Sequence, residues 1–151
     1  MNFATLGIRH FKESEFPAGE LGLADPRIIQ ALDEFRHRLG KPIEPSPVKG
    51  ALARPDGEAK GSRHYAHNRL SDAVDVFPQC NIADAWLLAV TSGLFGGVGF
   101  YLDTKPGPLL HLDLREERLM WARIRGSYIY PAHGPGARET FFRGLAAAAI
   151  A

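Results

Sequence analysis

Apolar residues recur at helical spacing from residue 26 onward: Ile28, Ile29, Leu32, Phe35 and Leu39 share one face. Asp25 stands at the N-cap position, Pro26 suits the first helical position, and Gly40 supplies the stop. A second helix is predicted over 82–91, with Trp86, Leu87 and Val90 toward the core and Asp84 in the first turn, where the helix dipole favours an acid. The stretch 41–62, with four prolines, reads as loop. Downstream the period shortens to alternation, which predicts strands over 99–102, 109–114, 119–124 and 128–130, and one more over 73–77. Helices come mostly first and strands mostly last. That order predicts a single domain over 1–151 of the α+β class, a small antiparallel sheet packed with helices. The Ala-rich tail at 146–151 is predicted to fray.

Composition narrows the function classes. A 151-residue chain buries enough surface to fold without staples. A formal net charge of +1 gives no broad lure for nucleic acid or an anionic membrane. Cys80 is the only cysteine, so intramolecular disulfides and a Cys-rich zinc knuckle are excluded, and a metal would need His, Asp or Glu. No stretch has the ~20 apolar residues that span a bilayer. The N-terminal residues lack the basic start and apolar run of a secretory signal. The chain is therefore expected to be made in the cytoplasm, to act as a monomer and to insert in no membrane.

The histidines carry the candidate chemistry. His64 and His67 lie in GSRHYAHNRLSDAVDVFP, followed by Asp72 and Asp75; His111 and Asp113 lie in LLHLDLR. On a strand, Leu110, Leu112 and Leu114 face a core, while His111 and Asp113 share the opposite face, about 6–7 Å apart at Cα. Ala73, Asp75 and Phe77 likewise share one face, and an acid among apolar neighbours needs a partner or a cation. Two His and one Asp, plus a water, make an open tetrahedral zinc site. Such an ion lowers the pKa of its water toward ~7, and a nearby carboxylate can serve as base. By pattern alone, His10, His37 and His133 are surface residues, Asp72 is a turn residue beside Ser71, and Trp86 and Trp121 are core.

GSRHY followed by SDAVDVF resembles the first zinc motif of the D-Ala-D-Ala carboxypeptidase and murein endopeptidase superfamily: Ser-x-His, then Gly-x-Ala-x-Asp and an apolar residue. Ser62, His64, Ala73, Asp75 and Val76 carry the match. GGVGFY, LLHLDLR and Trp121 resemble the second half, and LDEFRHRLGKPI resembles the helix before the substrate loop, so the likeness runs over residues 26–121. The resemblance implies the DD-peptidase (hedgehog-like) fold, with Zn2+ held by His64, Asp75 and His111. It further implies Asp113 as catalytic base or orienting group, Arg54 as the cation for a carbonyl or carboxylate oxygen, and Ser62, Tyr101 and Trp121 toward substrate. The family spaces its first His seven residues before the Asp. Here His64 lies eleven before Asp75 and His67 eight, with Ser71 in place of Gly, so His67 and Asp72 stay open as alternative ligands. The usual Ser-Gly-Tyr-Arg loop is not recognisable in SPVKGALAR.

The implied activity is hydrolysis of peptidoglycan peptides, as by a phage or prophage enzyme delivered or released to the cell wall. A catalytically inactive peptidoglycan-binding or structural module on the same fold, and a zinc amidase, are the competing readings.

Overall fold

The computed structural model describes residues 1–56 and 61–151. It contains helices α1 (Phe3–Leu6), α2 (Pro26–Leu39), α3 (Ile82–Thr91) and α4 (Pro135–Ala149). The strands are β1 (Ile43–Pro45), β2 (Ala73–Pro78), β3 (Gly97–Tyr101), β4 (Leu109–Asp113), β5 (Leu119–Ile124) and β6 (Ser127–Ile129). The class is mixed α+β, as the sequence predicts.

Helix α2 forms for the reasons its sequence gives. The Asp25 side chain accepts the Arg27 N–H, and Gly40 closes the helix at a φ of 64°. Ile28, Ile29, Leu32 and Phe35 are buried. In α3 the buried face is Ile82, Ala85, Trp86 and Ala89. Leu87, expected inside, is 56% exposed, because it lies off the stripe that Ala85 and Ala89 share.

The six strands form one sheet in the order β1-β2-β4-β3-β5-β6. Every pairing is antiparallel except β3 with β5. The expected all-antiparallel sheet is thus corrected to a mixed one. Asp113 at the end of β4 and Leu119 at the start of β5 both pair with Gly97. The short connection between them therefore steps across the start of β3 and sets β5 down on its other side, running the same way. The strands β5 and β6 are joined by Arg125 and Gly126, both at positive φ (51° and 79°), as a tight hairpin of the right twist requires.

One sheet face builds the core. Val74, Val76, Leu110, Leu112, Val98, Phe100 and Ala122 pack beneath α2, α3 and α4. Trp86, Phe100 and Phe141 meet edge to face, with centroids 5.0–6.1 Å apart. Residues up to Ala149 belong to α4, Leu145 and Ala148 pack against the core, and Asn81 donates to the Ala149 carbonyl at 2.7 Å. Among the described residues, no helix is long and apolar enough to cross a membrane.

Candidate metal centre

The opposite sheet face carries the polar groups, since successive side chains alternate. Asp75 on β2, His111 on β4, Gly99 on β3 and Trp121 on β5 are direct neighbours across four strands. Glycine at 99 is what lets this row work. A Cβ there would lie 2.5 Å from the Trp121 indole, which folds over the glycine to reach the His111 ring at 5.1 Å between centroids. In the next row Gly97 leaves room for the Asp113 carboxylate, which an added Cβ would overlap.

His64 comes from the loop that covers this face. Its carbonyl accepts the Arg54 N–H at 2.7 Å, and its own N–H bonds the Ser62 hydroxyl at 3.3 Å. The ring is thereby brought over the sheet. His64 Nε2 lies 3.1 Å from His111 Nδ1 and 3.3 Å from Asp75 Oδ1, and His111 Nδ1 lies 2.9 Å from the same Oδ1. Ligands of a tetrahedral zinc, at about 2.0–2.1 Å from the ion, stand roughly 3.3 Å from one another. The three atoms therefore match one face of such a tetrahedron, and this group can hold a metal ion.

The outer nitrogens fix the tautomers. His111 Nε2–H faces Asp113 Oδ2 at 3.1 Å, and His64 Nδ1–H faces the Leu52 carbonyl at 3.4 Å. With a cation in place of a proton, both inner nitrogens would turn a lone pair toward it, held there by the partners behind them; without one, His111 Nδ1–H donates to Asp75. Asp113 is fully buried. Its carboxylate also takes the Arg115 backbone N–H at 3.1 Å and the Arg115 guanidinium, which lies over the Trp121 ring at 5.1 Å.

Charge is concentrated here. Burial pushes His111 down, but the hydrogen bonds its ring donates to the Asp113 and Asp75 carboxylates outweigh it and carry its pKa up to about 9. Burial pushes Asp75 up, yet the field of His64 and the hydrogen bonds of His111 and His64 hold it well below the usual carboxylate range. Asp113 is also held low, against its burial, by His111 and Arg115. A raised histidine stabilises the fold fully below its unfolded pKa of ~6.5, and loses that contribution as pH rises through about 9. The depressed acids contribute above ~3.9 and lose their contribution as pH falls. Metal-free protein is thus expected to melt highest between about pH 4 and 6.5. Thermal melts that rise steadily from pH 6.5 to 9 would contradict this assignment.

The His64, Asp75 and His111 group opens onto a cleft of about 620 Å³. Ser62, Tyr101 and Arg54 line it. So do Lys49 and Lys105, which sequence reasoning missed for want of any pattern. Burial raises the Tyr101 pKa, so its hydroxyl stays protonated. Two expectations are corrected, and one is narrowed. His67 and Asp72 do not join the group: His67 is exposed beside Tyr65, and Asp72 pairs with Arg63. Trp121 is buried against His111 and does not line the cleft, so its role is packing. Asp113 lies behind His111, away from the cleft, which fits an orienting group and not a base.

No protein-family model matches this chain, and neither does any curated protein or solved structure.

Proposed function

We propose that this protein is a zinc-dependent peptidase that hydrolyses peptide bonds in peptidoglycan, of the D,D-carboxypeptidase or endopeptidase type, on a DD-peptidase fold. The observation that carries the reading is the meeting of His64, Asp75 and His111 at an open cleft, from the two sequence segments that resemble the superfamily's zinc motifs. Two imidazoles and a carboxylate suit zinc, and three protein ligands are the catalytic rather than the structural complement. Bound there, zinc supplies a Lewis acid for the scissile carbonyl and makes water acidic enough to ionise near neutrality. Asp113 and the Leu52 carbonyl keep both imidazoles in the ligand tautomer. Arg54, Lys49 and Lys105 give the cleft the positive charge that the carboxylates of stem peptides need, and the Tyr101 hydroxyl offers a proton to a developing oxyanion.

One observation favours a second reading. Among the described residues, Asp75 is the sole carboxylate lining the cleft, so no free acid stands ready as general base. The same centre would then bind peptidoglycan without cutting it. Purified peptidoglycan treated with zinc-loaded protein is expected to gain new amino termini, with a chelator stopping the release and zinc restoring it. Chelator-insensitive release would remove zinc from the mechanism. Stoichiometric zinc without new termini would favour the binding module, and freed lactyl ends would identify an amidase.

A further inference from the structure

The backbone of residues 51–54 touches two of the three metal-ligand candidates, His64 and Asp75. The Ala51 carbonyl accepts the Asp75 N–H at 2.9 Å, the Leu52 carbonyl faces His64 Nδ1, and the Arg54 N–H donates to the His64 carbonyl. The chain returns on itself here, because Ala66 N–H donates to the Arg54 carbonyl at 2.8 Å. This segment belongs to no helix or strand of its own. A loop without regular structure needs another source of rigidity if it is to hold two ligands within a few tenths of an ångström.

Glu20 supplies it. Its side chain is buried at 5% residue exposure, and it comes from the N-terminal region, before α2. One carboxylate oxygen accepts the Gly50 N–H at 2.6 Å, and the other accepts those of Leu52 and Ala53 at 3.0 and 2.9 Å. Three charge-assisted bonds, to the amides of residues 50, 52 and 53, hold the loop about twice as strongly as neutral ones would. The lock extends to the cleft: Gly50 has a φ of 86°, the Arg54 side chain folds across it, and Arg54 Nε donates to the Gly50 carbonyl at 2.8 Å.

We infer that Glu20 is a positioning residue of the metal centre, acting through residues 50–54 to place His64, Asp75 and Arg54 together. The inference rests on the reading of His64, Asp75 and His111 as a metal site. Glu20→Gln keeps the size but turns an amide N–H2 toward N–H donors, so part of the lock is lost.

Zinc affinity by competition with a chromophoric chelator, and amide hydrogen exchange of the metal-free protein, are to be measured together for wild type, Glu20→Gln and Glu20→Asp. Glu20→Gln is expected to bind zinc at least about tenfold more weakly, in the range of lost ligand-orienting partners. The amides of Leu52 and Ala53 should exchange faster while those of Leu110 and Leu112 in β4 stay protected. A merely structural role would loosen β4 and leave zinc affinity intact. Unchanged zinc affinity in a folded Glu20→Gln would overturn the inference. If Glu20→Gln loses β4 protection, Glu20→Asp decides: folded with wild-type affinity overturns, folded with weakened affinity supports. If wild type itself binds no zinc, the metal reading fails separately. Exchange at 52 and 53 then decides whether Glu20 holds the loop.

Discussion

His111→Ala is expected to lose zinc binding altogether at micromolar metal. Loss of a partner behind a ligand costs about 10–100-fold in affinity, and loss of one of three protein ligands costs more. The variant also leaves Asp75 and Asp113 on one sheet face without the imidazole that lies 2.9 and 3.1 Å from them. Asp113 keeps Arg115, but among the described residues Asp75 keeps only His64. The substitution replaces a ring packed against Trp121 with a methyl group, so a modest fall in melting temperature accompanies the loss. Competition titration checks the affinity, and circular dichroism checks that the sheet survives. Wild-type zinc affinity in a folded His111→Ala protein would rule out the proposed ligand set.

Asp113→Asn separates two chemistries that the sequence leaves together. A general base removed from the reacting water costs roughly 10²–10⁴-fold in rate, and no amount of zinc repairs it. An orienting carboxylate removed from behind a ligand costs about 10–100-fold in zinc affinity, and saturating zinc restores turnover. The position of Asp113, buried between His111 Nε2 and Arg115, predicts the second result. Peptidoglycan hydrolysis is to be followed across a zinc titration. A rate deficit that persists at saturating zinc would return Asp113 to the role of base.

Much of the site was legible because strands space side chains strictly. The alternation in LLHLDLR put His111 and Asp113 on one face and Leu110, Leu112 and Leu114 on the other, as the fold has them. The alternation in AVDVF did the same for Asp75. His64 was less legible, because a loop ligand has no period to follow. Only the Ser-x-His context favoured it over His67, and the covering loop, where Arg54 pairs with Tyr65, brings His64 and not His67 beside Asp75 and His111. Arg115 lies two residues past Asp113, on the same alternation, and a search for its partner could have found it. Glu20 could not have been found, since its partners are main-chain amides 30–33 residues away.

The fold shows the same division. Helix α2 announced itself through a cap, a stripe and a stop. Helix α4 did not: its Ala-rich end carries little hydrophobic pattern, and Phe141 alone of its residues is fully buried. Strand β1 is three residues long and includes Pro45, too short to show alternation. The parallel pairing of β3 and β5 depends on where the chain crosses the sheet, which strand periodicity does not encode.

Elemental analysis of the purified protein after zinc loading and gel filtration tests the metal centre most directly. About one zinc per chain is expected, falling to none in His111→Ala and retained in His67→Ala, whose side chain lies outside the group. Zinc-free wild-type protein after loading, or zinc lost in His67→Ala and kept in His111→Ala, would contradict it.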